Sequence, residues 1–367
     1  MILATMALIL MVVSVWYVPF RLKHLLNLKR AWPLVLSSGA VLGGYMLILS
    51  KGIYTWDNSA VAAIYNVLGL LFVFFMYLFF LMVVTHPLMF LGNRIANRLV
   101  GIGGIVVSAL FVALGFFNAQ SFTVTHHDIQ VKNLDQAIKI VHVPDIHLGS
   151  QRGAEYLNKI LAVIEEQKPA LVLYNGDMVD SNIALKPELF SLFESVRAEQ
   201  YFTIGNHEYY LDTDKSLRLI ADSGIRILRS EMIETHGIQL IGMEYMNADK
   251  ETYDAHAVNT LTLQEELPRI ERDSSKPSVL VHHSPVGMRY AAEGNIDLML
   301  AGHTHGGQFF PGTALVKYRF PMHSGRHQID GTTLLVSQGA GTFGPWIRLG
   351  SHSEVQVVNL IPATLKH

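Results

Sequence analysis

The chain has 367 residues, a formal net charge of -2 and no cysteine. Its length suffices for two domains, and the absence of cysteine excludes disulfide bonds and thiolate metal sites. The charge is unevenly placed: seven of the 28 basic residues, but only one of the 30 acidic residues (Asp57), precede Asp128. The acidic remainder argues against nucleic acid as a partner, because phosphate backbones require a basic face.

The part of the chain before Asp128 is predicted to be a membrane domain. It contains four long segments without a charged residue, each able to form a helix of about 20 residues that crosses a bilayer. The predicted spans lie near residues 2–20, 32–50, 59–84 and 100–119. The tail of the third segment, "THPLMFLGNRIANR", is expected to be a short interfacial piece. A cleaved signal peptide is the alternative for the first span, but that span lacks a basic region before it.

Basic residues predict how these spans are oriented. The loop after the first span, "RLKHLLNLKR", contains four Lys or Arg, and the loop after the third contains two. The loop between the second and third spans has one Lys and one Asp. Basic loops remain in the cytoplasm, so everything after the fourth span is expected on the periplasmic or extracellular side of a bacterial inner or cytoplasmic membrane.

After a linker and edge strand at 121–137, residues 138–367 are predicted to form an α/β domain. Apolar runs of strand length alternate with amphipathic stretches, a pattern typical of sheets covered by helices. Helices are expected at 153–167, 187–198, 214–223 and 260–271. Strands are expected at "AIKIVHV", "ALVLYNGD", "YFTIG", "IQLIGM", "SVLVHH", "IDLMLAG", "TTLLVSQG" and "EVQVVNL".

Polar residues are concentrated at the carboxyl ends of these strands, where sites assemble in open α/β sheets. Asp145 and His147 are expected to point the same way because they alternate on an extended segment. Each motif alone is also ordinary turn chemistry. The set as a whole supplies carboxylate, amide and imidazole groups in one domain. Its members are Asp145, His147, Asn175, Asp177, Asp180, Asn206, His207, Glu208, His282, His283, His303 and His305.

These ligand types indicate a metal centre. Imidazole, carboxylate and amide oxygen without thiolate favour Mn, Fe, Zn, Ni or Co over Ca or Mg alone. Six or seven ligands are too many for one tetrahedral zinc, and they fit two ions about 3.5–4 Å apart that share a carboxylate. We therefore expect two divalent transition metal ions, drawn from this group, whose net positive charge would attract a phosphate-bearing substrate.

The motifs "DIHLG", "GDMVD", "GNHEYY", "HHSP" and "GHTHGGQ", in this order, resemble the calcineurin-like metallophosphoesterase superfamily, and "SQGAGTFGPWIRLG" resembles its membrane-anchored YkuE-like branch. The resemblance implies a four-layer α/β/β/α sandwich, preceded here by an all-α membrane domain of about four helices. It also implies that metal-bound hydroxide hydrolyses a phosphoester or pyrophosphate bond.

The resemblance also implies a role for individual residues. Those implied for the first ion are Asp145, His147 and His305. Those for the second ion are Asn206, His283 and His303. Asp177 would bridge the ions, and His207 would be the general acid or a donor to the phosphate. Asp180, His282, Gln308 and Gln338 are candidates for supporting or substrate contacts. His282 is the alternative to His283, which is favoured because it stands two residues before Pro285, and Gln338 stands where this branch often has Arg.

The leading function is thus a membrane-anchored phosphohydrolase whose partners are the bilayer and a phosphorylated small molecule or lipid. A lipid-linked or envelope substrate is favoured. One alternative is a UDP-diacylglucosamine-type pyrophosphate hydrolase, which would require a cytoplasmic site and conflicts with the predicted orientation. The other is a membrane receptor that binds a ligand without turnover. Transport by the spans is disfavoured, because they contain almost no charge that would mark a pathway.

Overall fold

The computed structural model describes residues 2–50, 57–90, 93–252 and 260–363. Met1 and residues 51–56, 91–92, 253–259 and 364–367 lie outside the described residues. They include Lys51 of the second predicted loop, two residues of the expected interfacial piece and the end of the predicted α/β domain. The chain divides into two compact units. The first comprises the described residues up to Asn118 except Asp57, together with Gly344–Leu349, and the second comprises Ala119–Phe343 and the residues from Gly350.

The first unit is helical. Its helices are α1 (Ile2–Leu26), α2 (Trp32–Ser50), α3 (Ser59–Val84) and α4 (Arg94–Asn118). Within the described residues, α2, α3 and α4 are long and apolar enough to cross a membrane. The first predicted span, near residues 2–20, lies within α1 and stays a prediction. α4 begins at Arg94 rather than near residue 100, because Asn93 caps the helix by accepting hydrogen bonds from the N–H groups of Ile95 and Ala96, both at 3.0 Å.

The segment Gly344–Leu349 belongs to this helical unit, although it lies far along the chain from the helices. The N–H of Arg348 donates to the carbonyl of Gly115 at 2.8 Å. The Trp346 ring meets the Phe116 ring edge to face, with centroids 5.2 Å apart. The sequence places these six residues within 138–367, so the unit boundary departs there from the predicted domain boundary.

The second unit contains two six-stranded sheets. The strands are β1 (Phe122–Val131), β2 (Ile138–Val143), β3 (Leu171–Asn175), β4 (Glu199–Thr203), β5 (Arg226–Leu228), β6 (Glu231–Thr235), β7 (Ile238–Gly242), β8 (Ser278–Val281), β9 (Leu298–Ala301), β10 (Gly325–Ile329), β11 (Thr332–Val336) and β12 (Ser353–Pro362). The sheet orders are β1-β12-β2-β3-β4-β5 and β10-β11-β9-β8-β7-β6. β2, β3, β4 and β5 are parallel neighbours, as are β7, β8, β9 and β11.

The helices of this unit are α5 (Ala154–Gln167), α6 (Pro187–Phe190), α7 (Thr213–Asp222), α8 (Leu263–Glu266), α9 (Met288–Glu293) and α10 (Gly312–Arg319). One core lies between the sheets and contains Ile140 and Leu171 of the first and Leu240 and Leu300 of the second. Further cores join α5 to the outer face of the first sheet and α9 to that of the second. These layers confirm the predicted α/β/β/α sandwich.

Two predicted helices are much shorter than expected. The stretch 187–198 forms α6 and a 3-10 turn at Ser191–Ser195, and 260–271 forms α8 and a 3-10 turn at Leu267–Arg269. Pro268 explains the second case, because proline has no N–H to continue the helix. β5, β6, β10, α9 and α10 were not predicted, since they are short or lack a regular apolar period.

Candidate metal centre

The residues expected to form a site lie on loops that follow parallel strands. Asp145 and His147 follow β2, Asp177 follows β3, and Asn206 follows β4. His283 follows β8, while His303 and His305 follow β9. Because the carboxyl ends of parallel strands meet at one edge of a sheet, short loops are enough to bring these side chains together.

The prediction that Asp145 and His147 alternate on an extended segment is wrong. β2 ends at Val143, and the two residues have positive φ angles of 56° and 52° rather than an extended conformation. Asp177, His303 and His305 also have positive φ, at 51°, 70° and 50°. This conformation is uncommon for residues other than glycine, and strained backbone of this kind clusters at functional sites. The left-handed backbone of these loops, rather than alternation along a strand, therefore sets the direction of these side chains.

Among the described residues, the donor atoms form three groups, in each of which they lie within 4.8 Å of one another. The groups are Asp145 with His147 and His305, Asp177 with His283 and His303, and His147 with Asp180 and His207. The first group is the whole set implied for the first ion. The second contains two of the three ligands implied for the second ion, together with the implied bridge.

Asp177 faces both metal groups. One carboxylate oxygen, Oδ2, lies 3.1 Å from Nε2 of His283 and 3.8 Å from Nε2 of His147. The Nε2 atoms of His147 and His305 approach to 3.0 Å, and that of His305 lies 3.3 Å from Oδ1 of Asp145. These imidazole nitrogens and carboxylate oxygens therefore converge on a small common volume, as ligands around shared cations do.

Asn206 supplies an independent test of whether metals fit. Its side-chain N–H group donates to the Tyr210 hydroxyl at 3.3 Å, while its amide oxygen is buried and has no hydrogen-bond partner. A buried acceptor without a partner is costly, by about 1–3 kcal/mol. A cation would satisfy this oxygen, so the residues present fit the expected centre.

Two outer contacts orient the imidazoles. Nδ1 of His283 donates to the Asn175 carbonyl at 2.7 Å, which directs Nε2 towards Asp177. A carboxylate oxygen of Asp180 lies 3.3 Å from Nδ1 of His147 and 3.1 Å from Nδ1 of His207. Metal-binding histidines usually have such a partner on the second nitrogen, because it fixes the ring and raises its basicity.

The buried carboxylates create a strong demand for positive charge. Burial lowers the pKa of His207, but the nearby Asp177 and Asp180 carboxylates outweigh it and raise that pKa to about 9. Burial likewise lowers the pKa of His283, and Asp177 and Asp145 raise it to about 10. Burial raises the pKa of Asp177, but the adjacent imidazolium groups of His283 and His207 hold it well below its usual range. Divalent cations supply the same compensating charge.

The structure separates His282 from His283. His282 donates from Nδ1 to the Ser284 carbonyl at 2.8 Å and accepts at Nε2 from the Met246 N–H at 3.4 Å. Both ring nitrogens of His282 therefore contact backbone groups, whereas Nε2 of His283 faces Asp145 and Asp177. His282 lies outside the three donor groups found among the described residues.

The two glutamines contact protein groups near the centre. Gln308 is buried, donates from Nε2 to the Phe343 carbonyl at 2.9 Å, and accepts the Phe343 N–H at 3.1 Å. The side-chain amide of Gln338 lies 3.3 Å from Nε2 of His352. A Cβ atom built on Gly306 would lie 2.7 Å from Oε1 of Gln338. The Gln338 side chain, which follows β11, therefore packs against the backbone of the loop that carries His305.

Three further residues contribute: Glu208, which the sequence placed in the polar set without a role, and Tyr245 and Phe343, which it did not single out. The buried carboxylate of Glu208 accepts from the N–H groups of Asp177, Met178 and Gly205 at 3.0, 2.8 and 2.8 Å, which joins the loops after β3 and β4. The hydroxyl of Tyr245 lies 3.4 Å from Nε2 of His303. Phe343 packs against His305 with ring centroids 5.0 Å apart. The position of Glu208 directly after Asn206 and His207 could have indicated its role. Tyr245 and Phe343 lie far along the chain from the histidines that they contact, so the sequence offered no comparable signal.

Comparisons with known proteins show which family the chain belongs to. Residues 138–307 match the model of the calcineurin-like phosphoesterase family, and residues 1–122 match a domain of unknown function, DUF350. An uncharacterized metallophosphoesterase of Campylobacter jejuni is 31% identical over 277 residues, covering 73% of this chain and 71% of that protein. The chain belongs to the metallophosphoesterase family and carries the domain of a phosphoester hydrolase.

Other relatives have similar coverage. An uncharacterized metallophosphoesterase of Helicobacter pylori is 32% identical over 64% of this chain, which spans 62% of that relative's length. A transmembrane protein with metallophosphoesterase domain from Danio rerio is 29% identical over 68% of this chain and 60% of its own. Among solved structures, the NAD nucleotidase of Haemophilus influenzae has 17% identity and a TM-score of 0.34, over 55% of this chain and 45% of that one. Similarity at that level has no bearing on substrate.

Proposed function

We propose that the chain is a membrane-anchored phosphohydrolase that uses two divalent metal ions, with Mn favoured, to hydrolyse a phosphoester or pyrophosphate bond. The observation that supports this most directly is one cluster of side chains, which contains Asp145, Asp177 and four histidines. Its carboxylate oxygens and imidazole nitrogens lie 3.0–3.9 Å apart. The orphaned amide oxygen of Asn206 adds a further ligand. This set suits paired Mn, Fe, Zn, Ni or Co ions better than a single closed zinc site.

The proposed ligands of the two ions follow the donor groups that contain Asp145 and Asp177. The first ion is assigned to Asp145, His147 and His305, the second to Asn206, His283 and His303, and the bridge to Asp177. Bound ions would supply an activated water nucleophile and neutralise charge on the phosphate. Asp180 holds Nδ1 of His207, which leaves Nε2 near Asp177 at 3.9 Å to carry the proton for the departing oxygen.

A lipid-linked or envelope substrate fits the anchored domain best. Three described helices can cross a membrane, which holds the phosphoesterase domain close to a bilayer. We also propose that this domain faces the periplasm or the cell exterior, since the basic loops after the first and third predicted spans favour the cytoplasm.

The activity is tested with full-length protein purified in detergent and supplied with Mn. We expect metal-dependent hydrolysis of at least one of p-nitrophenyl phosphate, bis(p-nitrophenyl) phosphate and a diester of pyrophosphate. Protein that holds its metals but hydrolyses none of the three classes would overturn the proposed function.

The orientation is tested separately with reporters fused to the carboxyl terminus. Alkaline phosphatase, which is active only outside the cytoplasm, should be active, and green fluorescent protein should be dark when exported unfolded. The opposite pair of results would place the domain in the cytoplasm and revive the alternative reaction on a cytoplasmic pyrophosphate-linked lipid.

A further inference from the structure

Several large apolar side chains of the α/β unit are exposed, and one of them borders the metal centre. Outside the helical unit, five of those described are more than a third exposed: Leu261, Phe310, Leu315, Tyr318 and Phe343. Four of the five lie between residues 310 and 343, in the stretch that follows the ligand His305. Single exposed apolar residues are ordinary, but a group beside one site calls for a ligand.

Phe343 lies against the first metal group. Its ring centroid is 5.0 Å from that of His305, 6.1 Å from that of His147 and 6.3 Å from that of His207. The side chain is nevertheless 42% exposed. An apolar ring therefore borders the predicted reaction centre and faces solvent at the same point.

The backbone beneath this ring is held firmly. The Gln308 side chain binds both the N–H and the carbonyl of Phe343. Gln308 is fixed in turn, because the Ser351 hydroxyl donates to its carbonyl at 2.7 Å. The Gly341 N–H donates to the Asp145 carbonyl at 2.6 Å, which ties the same loop to the first ligand. Phe343 is thus presented as a fixed wall, and a fixed wall loses little entropy on binding.

A second ring borders the other metal group. Phe320 meets His303 edge to face, with centroids 5.4 Å apart, and is only partly buried. It caps the carboxyl end of α10, an eight-residue helix without a buried side chain. Leu315 and Tyr318 on this helix are also exposed, and the Arg319 guanidinium lies 5.4 Å from the centroid of the Phe320 ring.

We propose that Phe343 and Phe320 form an apolar subsite that binds an alkyl chain attached to the substrate phosphate. One partly exposed ring at each of the two metal groups suits an extended chain that passes the centre better than a single planar group. This inference rests on the proposed function and narrows its substrate class to alkyl phosphoesters, whether from a membrane lipid or from a free amphiphile.

The test uses full-length protein in nanodiscs and a series of p-nitrophenyl phosphodiesters whose second group is methyl, butyl or hexyl. We expect the KM to fall about tenfold from methyl to hexyl, because each CH₂ group that leaves water on binding strengthens the interaction and only part of the chain is covered. Phe343→Ala and Phe320→Ala should each remove most of this chain-length dependence. Phe343→Leu should retain it, because an aliphatic side chain also binds alkyl groups.

Leu261→Ala is the matched control, since it removes an equally exposed apolar side chain elsewhere and should leave the dependence intact. Hydrolysis with the same KM for all three diesters would overturn the subsite while leaving the proposed function standing. If no diester is hydrolysed, calorimetry measures instead the affinity of the Mn-loaded protein for methyl-, butyl- and hexylphosphonate. The subsite predicts an affinity that rises with chain length. Affinity that does not rise with chain length would then reject the subsite.

Discussion

The two units of this chain bury different chemistry. The helical unit fills its interior mainly with apolar and aromatic side chains, such as Val18, Leu78 and Met82, although it also buries the basic residues Arg21 and Arg348. The α/β unit buries carboxylates and imidazoles at the ends of its strands. Packed apolar side chains need no further partner, whereas a buried charge needs an opposite charge or hydrogen bonds to compensate it. The second interior is therefore expected to depend on metal ions, and the first is not.

Replacing the bridging carboxylate should have the largest effect. We expect Asp177→Asn to lower kcat/KM by at least about a thousandfold, because the change removes charge between two metal ions that stabilise the transition state. The measurement pairs kinetics with metal content by mass spectrometry. Asp135→Asn, at an exposed carboxylate, is the control. Full metal content and activity in Asp177→Asn would refute the bridge.

His207 should separate proton transfer from metal binding. We expect His207→Ala to keep both ions and to lower kcat about 10²–10⁴-fold, which is the usual contribution of a general acid. The loss should be smaller for a p-nitrophenyl diester than for an alkyl diester, because p-nitrophenolate departs without a proton. Loss of metal in this variant would show instead that His207 is a ligand.

Metal removal should destabilise only the α/β unit. At a free metal concentration about 100 times Kd, binding stabilises the folded state by about 2.7 kcal/mol per independent site. Chelation should therefore increase hydrogen exchange at Asp145–His147 and His303–His305, and added Mn should reverse the change. Exchange in α2 and α3 is the internal control. Equal increases in both units would contradict the contrast between them.

Packing changes in the helical unit should have the smallest effect and leave the metals in place. A Cβ at Gly115 would collide with Ile347, so Gly115→Ala should destabilise this unit by about 1–3 kcal/mol. Gly103 lies on the same helix with nothing within 4 Å of a Cβ, so Gly103→Ala should be neutral or slightly stabilising. Thermal unfolding in detergent compares the two. Equal midpoints would show that Ile347 does not pack there.

The sequence predicted features that depend on local pattern. Absence of charge indicated α2 and α3 closely, and strand-end polar residues indicated the donor groups around Asp145 and Asp177. It could not place Phe343 beside His305, because a contact between residues 38 positions apart depends on how the loops fold. It also missed the left-handed backbone at Asp145 and His147, since tertiary contacts impose that conformation. The end of α8 and the start of α4 depended on single residues, Pro268 and Asn93, that override the apolar period.

The most direct test of the two-metal proposal is an anomalous difference map from crystals of the full-length protein grown with Mn. We expect two peaks per chain about 3.5–4 Å apart, one beside Asp145, His147 and His305 and the other beside Asn206, His283 and His303, with Asp177 between them. A single peak, no peak, or peaks away from these residues in an active protein would contradict it.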